Sequence, residues 1–194
     1  LASVLLDNSG SPLMNALESS ALGSSPSPMC GLEDSQKQLC FACGIEGSEE
    51  READNVEAMI MSVVKSIADD GIPFEQIASS LHQLELQQRE VSGGGYPYGL
   101  GLMLTALTGA THRGDSAALL DLDPVLHNLQ EKIKNPEYIK SLAKTLLLEN
   151  THRIRLVMPP DTKLGHHREQ TETERLQKLQ ISLSESDKKK IVDR

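Results

Sequence analysis

The side chains best suited to chemistry in this 194-residue chain are its three cysteines and six histidines. Cys40-Phe-Ala-Cys43 has the C-x-x-C spacing shared by redox dithiols and zinc ligands. A redox pair works best at a helix N-terminus, where thiolate is stabilised. Leu39–Ile45 instead reads as a strand, which points the two thiols to opposite faces, and no second C-x-x-C follows to complete a zinc cage. The cysteines, Cys30 included, are therefore read as buried structural thiols of a reducing compartment. His82-Gln-Leu-Glu85 puts an imidazole and a carboxylate on one helix face. The inverted zinc motif H-x-x-E-H needs a second histidine at position 86, where Leu86 stands, so this pair reads as surface or helix packing. His166 and His167 diverge by ~100° on a helix and cannot easily share a metal. His112-Arg-Gly-Asp115 reads as a local charge cluster capping a turn. Gly93-Gly-Gly95 lacks the Gly-Lys-Ser/Thr ending and the preceding strand of a phosphate loop. No complete active site is present.

The elements that would carry these residues follow from periodicity. Leu1–Asp7 opens inside an apolar helical pattern, with neither the charged region nor the cleavage site of a signal peptide; the chain is expected to be a piece of a longer protein. Ser11 and Pro12 start a helix with Leu13, Ala16, Leu17 and Ala21 as its stripe, which Gly23 stops. Strands are expected around Ser27–Leu32 and Gln38–Ile45, joined by the polar turn Glu33–Gln36. From Arg51 the period becomes 3.6, with Val56, Met59, Ile60, Val63, Val64 and Ile67 on one face until Gly71. Ile72-Pro73 opens the next helix, with Ile77, Leu81, Leu84 and Val91 facing inward. Gly93-Gly-Gly-Tyr-Pro-Tyr-Gly-Leu100 then forms a turn in which Tyr96 and Tyr98 pack the start of a helix over 98–111. Further helices are expected from Asp121 to Lys134 and from Glu137 to Leu148. His152–Met158 alternates as a strand. Beyond Lys163 the chain is charged and helical, with Leu176, Leu179 and Leu183 as a thin stripe and Ser184 as a fresh N-cap.

Composition bounds the function. Hydrophobic residues are 38% of the chain and aromatic ones 3%, so the core must be built from Leu, Ile, Val, Met and Ala. A net charge of −9 argues against a nucleic-acid surface, which needs clustered cations. No apolar run approaches the ~20 residues that span a bilayer.

Several segments together resemble the pitrilysin/insulinase-type zinc metallopeptidases, specifically the presequence-peptidase branch. They are Ser11-Pro-Leu13, Gly44-Ile-Glu-Gly47, Gln83-Leu-Glu85 before Arg89-Glu90, Gly94–Leu104, Gly114-Asp-Ser-Ala-Ala-Leu-Leu120 and Asn150-Thr-His-Arg153. The similarity covers nearly the whole chain and is most specific over Gly93–Leu120. Leu183–Asp193 resembles the start of that branch's central linker.

The resemblance implies an α+β fold of the LuxS/mitochondrial-processing-peptidase kind: a small antiparallel sheet packed on several long helices, truncated by loss of its opening strand. Residues 1–163 would be the second, non-catalytic domain of the first half, and 164–194 a charged helical arm beginning the inter-half linker. Zinc and the catalytic motif would lie in another domain of the parent oligopeptidase, so no catalytic or metal residue and no bound cofactor is assigned here. The implied partners are unstructured peptides and the other domains of the same chain, with no nucleic acid and no membrane. The isolated segment is expected to self-associate, and the compartment to be the cytoplasm or an organelle matrix. By resemblance, a peptide would be anchored as an added strand on the edge formed by Leu22–Ser27 with Leu39–Ile45, chiefly at Leu22, Gly23, Ser24, Leu39, Phe41, Cys43 and Ile45. An internal strand pair with no ligand is the alternative there. For the whole chain, the alternative is a non-enzymatic interaction or assembly module of the same fold.

Overall fold

The structure is a computed structural model that describes residues 1–89 and 97–192. Contacts divide the chain into two compact units, Leu1–Arg155 and Leu156–Arg194.

The first unit is α+β. Its order begins with α1 (Ala2–Leu6) and α2 (Pro12–Glu18), followed by the short strands β1 (Ser25–Pro26), β2 (Gly31–Glu33), β3 (Cys40–Ala42) and β4 (Ile45–Glu46). The helices α3 (Ala53–Asp70), α4 (Phe74–Arg89), α5 (Tyr98–Thr108), α6 (Asp123–Lys132) and α7 (Glu137–Ala143) come next. α5 and α7 each run on into a five-residue π-helical turn, closed by Gly114 N–H on Gly109 C=O at 2.7 Å and by Glu149 N–H on Lys144 C=O at 2.8 Å.

The predicted apolar stripes become two adjoining cores. Leu5, Leu6, Leu13, Leu17, Val64, Ile67, Ala68 and Ala143 form the larger, which gathers α1, α2, α3 and α7. Val4, Ile77, Leu81, Ile133 and Ile139 form the smaller, and draw in α4 and α6. Short α1 serves both, since Val4 faces one core while Leu5 and Leu6 face the other. Gly71 ends α3 with φ +84°, a left-handed position that glycine adopts without a Cβ penalty, and its N–H closes on Ile67 C=O at 3.0 Å.

Several expectations are corrected. α2 stops at Glu18, so Ala21 lies in the following turn. Ser11 occupies the N-cap of α2 without capping it; its buried hydroxyl accepts a bond from Asn8 N–H at 3.4 Å instead. His152–Met158 forms no strand among the described residues. Alternation alone does not make a strand, because the main-chain groups need a partner to pair with. Within the first unit Arg153 and Arg155 lie against α3, where Arg155 pairs with Asp54 and, at 3.3 Å, with Glu57. Arg153 donates to the Met61 sulfur at 3.0 Å, while Ile154 between the two arginines is 86% exposed. The glycine-tyrosine turn over 93–96 and the inward position of Val91 lie outside the described residues. Tyr98 is exposed rather than packed at the head of α5.

The second unit holds α8 (Leu164–Ser182) and α9 (Glu185–Val192), with no buried side chain in α8. Ser184 caps α9 as its sequence predicts: its Oγ accepts Asp187 N–H at 3.2 Å and donates to the Asp187 carboxylate at 2.6 Å.

Candidate functional site

The four strands belong to one two-stranded antiparallel ribbon with a step in it. β1 pairs with β4 in the register Ser25–Glu46 and Pro26–Ile45, and β2 with β3 as Gly31–Ala42, Leu32–Phe41 and Glu33–Cys40. Between these ladders the outgoing arm spends five steps, Pro26 to Gly31, where the returning arm spends three, Ala42 to Ile45. The surplus is taken up by a turn over Pro28-Met29, held by Cys30 N–H on Ser27 C=O at 3.0 Å. An inserted pair of residues bends a ribbon and increases its twist. The polar tip covers 34–39 and is exposed, longer than the four-residue turn expected.

The residues singled out for peptide anchoring fall on both arms. Leu22 lies in a turn, its N–H donating to Ser20 Oγ at 3.1 Å. Gly23 is pressed against β4: a Cβ there would meet Ile45 Cγ2 at 2.1 Å and Glu46 C=O at 2.8 Å. Ser24 N–H donates to Glu46 C=O at 2.9 Å and extends the first ladder by one bond. Phe41, Cys43 and Ile45 are half-buried against the larger core. Leu39 stands apart, exposed at the tip. The structure therefore brings together Leu22, Gly23, Ser24 and Ile45 at the base of the ribbon, places Phe41 and Cys43 on its inner face, and leaves Leu39 outside. Among the described residues each arm pairs only with the other.

The cysteines depart from the sequence reading. Cys40 is exposed, so it is not a buried thiol. Cys30 and Cys43 are half-buried and both pack against the larger core. Cys30 Sγ also accepts Gly44 N–H and donates to Gly44 C=O, both at 3.4 Å. The neighbouring Cys43 thiol, with help from backbone groups, brings the Cys30 pKa down to about 6, while the Cys30 sulfur and burial push Cys43 up. C-x-x-C spacing drew attention to the wrong partner. The useful signal was the antiparallel pairing itself, which sets Cys30 across from Cys43 once the register is known.

The remaining motifs make local contacts or stand exposed. Glu85 is held by Arg89 at 2.7 Å and accepts Gln130 Nε2 at 3.4 Å, while His82 is exposed. Asp115 caps a turn through bonds from Ala117 and Ala118 N–H at 2.9 and 3.2 Å. The exposed rings of His166 and His167 lie edge to face, 6.4 Å apart. Among the described residues no three His, Cys, Asp or Glu side chains gather in a group that could hold a metal ion. No helix among the described residues is long and apolar enough to cross a membrane.

No protein-family model matches the chain. Individual proteins do. The mitochondrial presequence proteases of Xenopus tropicalis and Xenopus laevis are 29% and 30% identical over 195 residues, covering 100% of this chain and 19% of each relative. Presequence protease 1 of Arabidopsis thaliana, named chloroplastic/mitochondrial, is 29% identical over 187 residues, covering 95% of the chain and 17% of the relative. The chain thus spans about a fifth of the length of the curated relatives it matches. Along its whole length the chain is homologous to one segment of proteins named presequence protease.

Proposed function

We propose that this chain is a non-catalytic segment of a zinc-dependent oligopeptidase that hydrolyses unstructured peptides in an organelle matrix, supplying chamber wall and substrate anchoring. The observation that carries the reading is the end-to-end similarity to proteins named presequence protease, in a chain whose sequence contains no H-x-x-E-H. The zinc and the water it activates belong to another domain of the parent. The ribbon supplies main-chain donors and acceptors, and strand addition tolerates varied side chains, as a peptide scavenger requires. The charge of −9 favours basic peptides by drawing cations inward. The helical arm over 164–194 begins the connection to the second half of the parent.

α5 supports a role as wall. It is apolar on every side yet has no buried side chain, with Met103 58% and Leu107 55% exposed. A helix of that composition is ordinarily buried, and the other domains of the parent are its natural cover. The chain alone should therefore self-associate through this surface. Sedimentation should show mass rising with concentration, and a strictly monomeric profile would count against the wall reading.

The anchoring reading is tested by mixing the chain with zinc and an unstructured basic peptide carrying a fluorogenic pair. No cleavage is expected, while amide exchange over 22–27 and 39–45 should slow severalfold. Chelator-sensitive turnover would sink the non-catalytic assignment, and unchanged exchange would sink the anchoring one.

A further inference from the structure

Cys30 and Cys43 are thirteen positions apart in sequence and lie just past the end of the outer ladder on its two arms. The β2–β3 ladder ends on Gly31–Ala42, and one further step in the same register sets Cys30 opposite Cys43. Residues opposed on antiparallel strands have Cα atoms about 4.5–5.5 Å apart, inside the range of about 4.4–6.8 Å that a disulfide spans. Cys30 Sγ lies 3.4 Å from both the N–H and the C=O of Gly44, the residue next to Cys43, so it already reaches the return arm beside Cys43. The pair sits at the step of the ribbon, where the turn over Pro28-Met29 meets the return at Cys43-Gly44. Cys40, the third cysteine, is opposed to Glu33 instead and points to solvent.

We propose that Cys30 and Cys43 form a reversible dithiol–disulfide pair that clamps the ribbon at its step under hydroperoxide stress. Cys30 is the attacking group. Gly44 N–H donates to its sulfur and the neighbouring Cys43 thiol favours its thiolate, with no ionised side chain contributing to the shift. Cys43 keeps its proton and serves as the resolving thiol. In the first step the Cys30 thiolate attacks the outer oxygen of a hydroperoxide. An S–O bond forms, the O–O bond breaks, and the departing alkoxide takes a proton to leave as the alcohol. The Cys43 sulfur then loses its proton and attacks the Cys30 sulfenic acid. The S–S bond forms, the S–O bond breaks, and hydroxide leaves as water. Two thiols and one hydroperoxide thus give one disulfide, one alcohol and one water, and a dithiol reductant reverses the change. In a thiol-reducing compartment the pair rests open. Closure ties residues 31–42 into a covalent loop and fixes Phe41 and Cys43 relative to the core. The inference stands on the ribbon alone and does not depend on the peptidase reading.

The test is to treat the whole chain with hydrogen peroxide, quench with an alkylating agent, and map peptides without reduction. The expected product has lost the mass of two hydrogens and links Cys30 to Cys43, and Cys40→Ser forms it unchanged. Cys30→Ser and Cys43→Ser should each accumulate oxygen adducts on the remaining thiol in place of the loop. In the unmodified chain, alkylation of Cys30 should rise with pH through about 6, whereas an ordinary thiol such as Cys40 responds near ~8.5. A linkage through Cys40, cross-linking only between chains, or independent oxidation of Cys30 and Cys43 in the unsubstituted chain would overturn the proposal.

Discussion

Replacing Leu13 by alanine should lower the stability of the first unit by about 3 kcal/mol, within the span measured for fully buried leucines. Leu13 is 0% exposed and sits in the larger core beside Leu5, Leu17, Val64 and Ile67. It follows Pro12, whose fixed φ starts α2, so its direction is set by the backbone and the cavity cannot close by a small shift of the helix start. A domain of this size has about 5–15 kcal/mol in total. The loss should therefore appear as a fall in Tm of roughly 6–12 °C. Leu107→Ala is the matched control. Its side chain is 55% exposed on α5, and the change should stay within about 0.5 kcal/mol. Equal effects at the two positions, read by denaturant melts, would mean that the core is misplaced.

Gly23→Val should separate the base of the ribbon from its outer half. The new Cβ would lie 2.1 Å from Ile45 Cγ2 and 2.8 Å from Glu46 C=O. The isoleucine can rotate away, but the backbone carbonyl cannot, and it is the group that accepts Ser24 N–H. Relieving the overlap therefore breaks the first ladder, at a cost of about 2–3 kcal/mol. Amide exchange should quicken at Ser24 and along β1 and β4, while the β2–β3 ladder keeps its protection. Gly44→Ala provides the contrast, since a Cβ there would meet only Ser27 Cβ at 3.9 Å, an ordinary contact. If Gly23→Val left exchange unchanged, the close packing of Gly23 on β4 would be refuted. In the parent protease, loss of peptide anchoring would show as a raised KM with kcat preserved.

The helices were legible because their signals are local. Val64 and Ile67 recur at helical spacing, and Gly71 marks the stop; both readings depend on residues within one or two turns. Likewise Ile77 and Leu81 face a core, as their spacing requires. The ribbon was only half legible. Alternation located its two arms, but the step between its ladders depends on how many residues the turn over Pro28-Met29 absorbs. Spacing along the chain paired Cys43 with Cys40, because the register that relates it to Cys30 on the other arm has no local signal. The segment 152–158 failed for the opposite reason. Its alternation is genuine, but a strand is a relation between two segments, and its second member is not among the described residues. The α+β class survived these errors because it depends on which elements exist, not on how they pair. The resemblance to presequence proteases was read chiefly from Gly93–Leu120, whose residue order is specific in itself and needs no knowledge of how the elements pair.

The step in the ribbon also bears on how long a guest could stay. Neither straight run exceeds three residues, so a peptide lying along one of them would gain only a few main-chain hydrogen bonds at about 1 kcal/mol each. A total of a few kcal/mol corresponds to dissociation constants of roughly millimolar. Differences in affinity are expressed mainly in the off-rate, so dwell times on such a surface are short. A wall that releases its guests quickly passes many different peptides on in turn and is not blocked by any one of them.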